Sequence, residues 1–442
     1  MAVPAIGLAA DSYSAQIEMV RKNLPLLLAT DDTVASMIKK TGKAVKLTDR
    51  LYRIPLAKHI GGYSAKFDPD GGVMYTGTGP KVINTTAGYI YTQYAVDLSM
   101  RNIDLTSTDE QSVLNVLRFS LDNAMKGVNM CDDIAFHQDG SGILTGYASA
   151  NSTWTSGDSY TFAAATDYFG CNRLYPGMGV QSFDYDGSAA NTTSTDPLII
   201  DSVDYDNKVV YLLGTVTGEA SGATGDILVY PGVAATAQSF QSTWPLSGDS
   251  FRHGLYYAHD VTTTNYFLGQ LKSSNIELMP SVVNAASSGI SFALMQSLLD
   301  KMVMRRDESV YKGAIGLANM SQRAKVQDIG FSMSEWPRNG KAAMQDFQPS
   351  NTNYSSTFDM CGITIRTDKR QDRSRIDLII PDNWGRAVAH ETDFYTPTGQ
   401  MWFEGRNSDG HVTASQGFKI VSGYDYVCFD PGAEGYLYGL AV

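Results

Sequence analysis

A chain of 442 residues with 43% hydrophobic content has the material for two or three compact units, taking ~150 residues per domain. Its net charge of -12 and isoelectric point near 4.9 argue against a dedicated nucleic-acid binder, which is usually basic. They leave room for a container whose inner wall tolerates DNA. Only 18% of residues are charged, while 11% are aromatic and 41 are glycine, so much of the surface is expected to contact other protein.

The four cysteines, Cys131, Cys171, Cys361 and Cys428, are widely spaced and form no C-x-x-C pair. That disfavours a zinc ribbon or a redox dithiol and fits free, buried thiols in a reducing cytoplasm. The first ten residues lack the basic start of a signal peptide. The apolar run Leu24–Ala29 is broken by Pro25 and is too short to cross a bilayer. A cytoplasmic product with no membrane span is the expectation.

Ser12–Arg21 and Asp31–Ile38 predict two short helices of an arm, with Asp31 and Asp32 favoured at a helix N-terminus. From Lys46 the pattern becomes strand-like through Leu47, Leu51, Ile54 and Leu56, and Pro55 removes a ladder donor, which predicts an edge strand. Gly61-Gly62, Asp68-Pro69-Asp70-Gly71-Gly72 and Gly77-Thr78-Gly79-Pro80 are dense in turn formers. A return strand then alternates Ile90, Tyr94, Val96 and Leu98 against Tyr89, Tyr91 and Ala95. Residues 46–100 thus read as one long hairpin. Its return strand is apolar on both faces, and an isolated ribbon is marginal in water, so it is expected to dock outside its own domain.

Ser107-Thr108-Asp109-Glu110 reads as a capping box. It opens a helix whose Val113, Leu117, Leu121, Ala124 and Val128 form one apolar stripe. Gly127 weakens that stripe without ending it, and Asp139-Gly140-Ser141-Gly142 supplies a stop. Residues 150–245 are rich in Gly, Ser, Thr, Asp and Tyr. Leu198–Val203 and Val209–Leu213 flank Tyr205-Asp206-Asn207 as a hairpin, with a further strand at Ile227–Tyr230. This is the pattern of a small β-rich unit inserted in a larger fold. Phe292–Met304 predicts a helix and Gln322–Ile329 a shorter one. From Phe358 the chain is strand-rich, at Ile363–Ile365, Ile376–Ile380 and Phe418–Cys428.

No catalytic, cofactor or metal site is predicted. His253, His259 and Asp260 lack an indicated third ligand and read as satisfied or exposed side chains. His137 with Asp132, Asp133 and Asp139 lies at a helix end, where polar residues are ordinary. The acidic segment Asp196–Asp206 lacks a calcium-loop pattern. The glycines before Lys81 lack phosphate-loop spacing, and neither G-x-S-x-G nor H-E-x-x-H occurs. Arg366, Lys369, Arg370, Arg373 and Arg375 alternate with Asp368, Asp372 and Asp377. Such a mixture fits salt bridges between subunits better than a solvated loop or a DNA contact. The 25 tyrosines fit protein interfaces and equally a β-rich fold.

Several stretches, taken in order, resemble tailed-phage major capsid proteins of the HK97-like fold. They are Arg50–Leu56, the helix ending in Asp133–Gly142, the segments Gly177–Val180, Ile200–Asp204 and Gly225-Asp226, and Gly254–Phe267 leading into the Phe292 helix. The resemblance implies an α+β subunit. Its parts would be an N-terminal arm (1–45), an extended β-hairpin loop (46–100), a peripheral domain with a spine helix (101–149) and a β-rich insertion (150–245). An axial domain (246–357) and C-terminal axial and peripheral strands (358–442) would complete it.

The implied function is assembly, not catalysis. Pentamers and hexamers would build an icosahedral phage head around double-stranded DNA, a virion capsid made in the host cytoplasm. Implied partners are further copies of the chain, a portal protein, possible separate scaffold and decoration proteins, and DNA held by non-specific proximity, with no cofactor and no membrane. The residues expected at subunit contacts are Tyr52, Arg53, Lys66, Tyr89, Tyr91, Arg366, Lys369, Arg370 and Arg373. With an arm this short, the resemblance implies a separate scaffold protein or none, and no fused scaffolding segment is expected. Lys58, Lys66 and Lys81 lie in the ribbon, but no motif marks an asparagine partner or a catalytic acid, so no covalent cross-link is expected. The alternatives are an encapsulin-like compartment shell and a β-rich surface binding protein.

Overall fold

The computed structural model describes residues 37–38, 44–48, 50–59, 61–62, 64, 76–99, 110–146, 159–161, 171–183, 198–205, 207–213, 227–233, 251–306, 313–326, 357–396, 402–406 and 412–441. The arm up to residue 36, the ribbon tip at 65–75 and the capping box at Ser107 lie outside them.

In chain order come strands β1 Val45–Lys46, β2 Leu51–His59, β3 Lys81–Gly88 and β4 Tyr91–Ser99, then helix α1 Glu110–Phe136. Strands β5 Ile143–Gly146, β6 Ser159–Thr161, β7 Gly179–Phe183, β8 Leu198–Asp204, β9 Val209–Leu213 and β10 Ile227–Val229 come after it. Next are the helical turn α2 Leu255–Ala258, strands β11 Tyr266–Phe267, β12 Gln270–Leu271 and β13 Ser281–Asn284, helix α3 Phe292–Arg305 and strand β14 Ile315–Ala318. The chain closes with β15 Thr357–Met360, β16 Ile363–Thr367, β17 Ile376–Ile379, β18 Trp384–Phe394, β19 Trp402–Arg406, β20 Val412–Cys428 and β21 Gly435–Tyr438. This is a mixed α+β fold. Residues 320–326 are also helical, where a short helix is predicted.

The described residues fall into two compact units. One is drawn from 1–39, 91–134 and 390–424, the other from 40–90, 135–389 and 425–442. In the first, β4 runs antiparallel to β20, from Tyr91 opposite Gly423 to Ser99 opposite Ser415. Leu121, Ala124, Met125 and Val128 of α1 bury themselves with Phe394, Phe418 and Ile420, and Tyr94 and Val96 pack against them. The predicted stripe is therefore a core face where its side chains are described. Gly127 has a packing reason: a Cβ there would lie 2.2 Å from the Tyr94 hydroxyl oxygen.

This pairing corrects the predicted hairpin. The strand that returns the ribbon is Lys81–Gly88, with Leu51 opposite Gly88 and Ala57 opposite Val82. Residues 91–99, read from sequence as the return strand, instead join β20. The segment is apolar on both faces because it serves two places. Tyr89 packs on Tyr52 with ring centroids 5.1 Å apart, while Tyr94 and Val96 enter the α1 core. Among the described residues one edge of β2 is unpaired at Pro55, because β1 reaches only Tyr52 and Arg53, which suits a residue without an N–H.

In the second unit a six-stranded sheet has the order β13-β21-β17-β14-β16-β15. The pairs β13/β21 and β14/β16 are parallel and the others antiparallel. Helix α3 starts at Ser291, whose hydroxyl accepts the Leu294 N–H at 3.3 Å, an N-cap. It buries Met295, Leu298, Leu299 and Met302, one helical face, with Ile365, Ile376, Leu378 and Leu437 of the sheet. A second sheet has the order β5-β10-β7-β8-β9-β6. It contains the predicted hairpin, with Ile199 opposite Leu213 and Asp204 opposite Val209. Asp204 closes the turn by accepting the Asn207 N–H at 3.0 Å, and Lys208 takes the left-handed conformation with φ 58°.

Candidate functional site

Two arrangements in the second unit stand out: the anchorage of the ribbon and an ion network against the six-stranded sheet. Along β2 the side chains alternate, Tyr52 and Ile54 buried and Leu51 and Pro55 exposed, the period of a half-buried strand. The Tyr52 hydroxyl donates to Asp425 Oδ2 at 2.7 Å. The same oxygen lies 2.5 Å from His253 Nδ1. Asp425 Oδ1 accepts the backbone N–H groups of His253 at 2.8 Å and Tyr426 at 3.0 Å. Burial, reinforced by the Asp425 charge, pushes the Tyr52 phenol well above its ordinary pKa, so it remains a donor.

Further along, the Thr86 N–H donates to the Leu268 carbonyl at 3.1 Å and Gln270 Nε2 to the Asn84 carbonyl at 2.9 Å. Lys58 Nζ donates to the Ser274 carbonyl at 2.8 Å and to Asn275 Oδ1 at 2.9 Å, and lies 3.7 Å from Glu277. The ribbon thus docks on residues 268–277 and Asp425 of its own chain, through the backbone edge of β3 at Asn84 and Thr86 and through the side chains of Tyr52 and Lys58. The outward side chains Leu51 and Val82 stay exposed.

The basic stretch after β16 turns largely inward. Arg375 holds Asp377 through two hydrogen bonds, Nε to Oδ2 at 2.8 Å and Nη2 to Oδ1 at 2.6 Å. Its guanidinium carbon sits 3.6 Å from the Tyr436 ring centre and 4.5 Å from that of Tyr256. Asp377 Oδ1 also lies 2.6 Å from His259 Nδ1, and His259 Nε2 lies 2.8 Å from Glu434 Oε2. Glu434 Oε1 accepts from Trp384 Nε1 at 2.8 Å and from the Ile380 N–H at 3.0 Å.

A neutral imidazole has one N–H, whereas an imidazolium has two. With a carboxyl group at each ring nitrogen, the doubly protonated form satisfies both, although burial raises the Glu434 pKa against the lowering pull of His259 and of the Ile380 and Trp384 donors. Burial alone would lower the His259 pKa, but the hydrogen bonds to Asp377 and Glu434 outweigh it and raise it. Burial works against the Asp377 charge too, but Arg375 and His259 hold that carboxyl far below the usual range. His259, Asp377 and Glu434 are each fully buried, so this cluster meets no substrate and acts as an internal tie.

The contact residues expected from sequence are divided by the fold. Tyr52 is wholly buried, and Arg370, 2% exposed, donates to the Asn172 carbonyl. Both spend their surface inside their own chain, because a hydroxyl and a guanidinium taken from water need internal acceptors. Tyr89 is buried too, whereas Tyr91 and Lys369 are exposed and Arg53, Arg366 and Arg373 half-buried. Lys66 lies outside the described residues.

The two histidines weighed from sequence as metal candidates are engaged otherwise, His253 with Asp425 and His259 with two carboxylates. Asp260 pairs with buried Lys272 at 2.8 Å. Asp139 serves the predicted stop, accepting the Ser141 N–H at 3.0 Å. Sequence reasoning missed Lys272, Asp425 and Glu434. The available signal was a lone charge within an apolar stretch, as in Tyr424-Asp425-Tyr426-Val427.

The structure matches solved capsid and encapsulin structures over nearly the whole chain. With the cyanophage A-1(L) capsid asymmetric unit, the match covers 95% of this chain and 93% of the other, at 9% identity and a TM-score of 0.48. With the capsid of a native GTA particle it covers 92% and 90%, at 9% identity and a TM-score of 0.44. With the holo-SrpI encapsulin complex from Synechococcus elongatus it covers 91% and 85%, at 9% identity and a TM-score of 0.38. No protein-family model matches the sequence, and no curated protein matches it.

Proposed function

We propose that this chain is a shell-forming subunit with an HK97-like fold, a major capsid protein of phage type. It would assemble into the pentamers and hexamers of an icosahedral head around double-stranded DNA. The observation that supports this reading is the order of the ribbon, the long helix and the sheets. A two-stranded ribbon, tied at its root by Tyr52 and Asp425, precedes a 27-residue helix and then two six-stranded sheets. The ribbon's own chain occupies its inner face, while Leu51 and Val82 are left outward. A neighbouring subunit covering those side chains would gain their burial energy.

The subunit-contact residues in this proposal are those with surface to offer, Arg53, Tyr91, Arg366, Lys369 and Arg373, together with Lys66 from sequence. The net charge of -12 favours DNA enclosed by proximity over DNA bound through phosphate contacts. A portal protein and any scaffold or decoration protein belong to the same proposal.

The test is electron microscopy of the purified protein and of lysate from cells producing it. Closed shells or capsomer rings are expected. A dispersed monomer in both samples would overturn the reading, and shells filled with protein cargo instead of DNA would redirect it to an encapsulin-like compartment. A denaturing gel of the shells should show single-chain bands, since the sequence carries no cross-linking motif.

A further inference from the structure

Among the described residues the six-stranded sheet ends beside α3 at strand β13. Strand β13 pairs only with β21 among the described residues. Lys301 and Arg305, four residues apart, share one face of α3 and reach over to this strand. Lys301 Nζ donates to the Val282 carbonyl at 2.8 Å, and Arg305 donates to the carbonyls of Met279 and Pro280. A cleft of about 460 Å3 lies there, walled by Val261, Met279, Pro280 and Met304 with the two cations.

Three observations describe what would fit. First, the partners of both cations are neutral carbonyls, and neither forms an ion pair with a carboxylate among the described residues. The neighbouring Arg306 is already neutralised by Asp430 at 2.7 Å, and Asp300 accepts from Gln296 at 3.0 Å. Burial, with the charge of Arg306, lowers the Arg305 pKa, as expected where positive charge lacks compensation. An ammonium has three donors and a guanidinium five, so donors remain. Second, Ser281, which lines the cleft, has a buried hydroxyl with no hydrogen-bond partner. Third, Met304 is 87% exposed, an adaptable apolar side chain of the kind used at binding surfaces. The complement of such a surface is an extended segment with a carboxylate beside an apolar residue, lying along a strand edge.

We propose that this cleft receives an acidic, apolar-flanked segment of a second copy of the chain, laid alongside β13. The proposal rests on the reading of the protein as a self-assembling shell subunit. Charge selects the second copy: with 46 acidic against 34 basic residues, a basic cleft is complementary to the predominant charge of the chain itself. A cleft on one copy meeting a different surface on the next is a heterologous contact, the kind that closes into rings.

The experiment is site-specific photocrosslinking of assembled protein carrying Met304→p-benzoylphenylalanine. Particles are formed from a mixture of 14N- and 15N-labelled chains, and the cross-linked peptides are identified by mass spectrometry. Mixed-isotope cross-links to a peptide containing Asp or Glu are expected. Their yield should fall about tenfold in Lys301→Glu, as for loss of a desolvated charge contact. Lys301→Gln, with the charge removed but not reversed, should give an intermediate yield. Closed particles that give no cross-link, cross-links within one isotope only, cross-links to another protein, or cross-links to a peptide without an acidic residue would overturn the proposal alone. Protein that forms no particles would instead remove the shell reading on which it rests.

Discussion

At strands β17 and β21 the six-stranded sheet that packs on α3 is buried on both faces, but by different means. Along β17, Ile376 and Leu378 face the core shared with α3, while Asp377 between them meets Arg375 and His259 on the other face. Strand β21 repeats the division, Leu437 in the apolar core and Tyr436 against Arg375. The apolar face is non-directional and tolerates reshaping. The charged face depends on every member, because removing one ion leaves another buried without a counter-charge. One sheet therefore has one forgiving face and one brittle, pH-sensitive face.

The largest effect should come from Asp377→Ala, which strands Arg375 and His259. A loss of about 3–5 kcal/mol is expected for breaking a buried pair, read as a shift in the urea unfolding midpoint. A loss under about 1 kcal/mol, the scale of an exposed pair, would dissolve the contrast between the faces. On the apolar face, Leu298→Ala should cost about 2–5 kcal/mol through lost burial and a cavity, whereas Leu298→Met should cost under about 1.5 kcal/mol.

The pH dependence separates the two faces further. His259 titrates higher in the folded chain than its ordinary value of 6.5. Its contribution is then complete below that value and is lost as pH rises through the folded pKa. Asp377, held low, contributes above its ordinary value of 3.8 and loses that contribution as pH falls toward its folded pKa. The stability gap between wild type and His259→Gln should therefore be widest near about pH 5–6 and narrow on the alkaline side. The cost of Leu298→Ala should stay level over the same range. A His259→Gln gap that widens with pH would reverse the assignment of charge to the imidazole.

Smaller effects should come from the ribbon. Tyr52→Phe deprives buried Asp425 of one donor and should cost about 1–3 kcal/mol, with amide exchange along β2 and β3 rising before that of the sheet. Lys58→Ala removes contacts near the solvent and should cost no more than about 1 kcal/mol. A Lys58 effect larger than that of Tyr52 would move the ribbon's anchorage from its root to its outer half.

Elements that rest on a local period were legible in the chain. Helix α3 spans Phe292–Arg305 where Phe292–Met304 is predicted, and the hairpin around Tyr205 lies where the strand and turn residues indicate. The rising strand of the ribbon and the strands at Ile363 and Ile376 are equally local features. Which elements meet depends instead on the folded path. A run apolar on both faces does not show that Tyr89 belongs with Tyr52 and Tyr94 with α1, since periodicity describes a strand and not its partner. The acidic and basic residues at 366–377 gave charge without direction, and the fold turned Arg370 and Arg375 inward while leaving Lys369 outside. Tyr52 and Asp425 stand 373 positions apart, and His259 lies 118 from Asp377 and 175 from Glu434. Those contacts depend on the path of the whole chain, because a buried polar group is satisfied by whatever acceptor the packing brings to it.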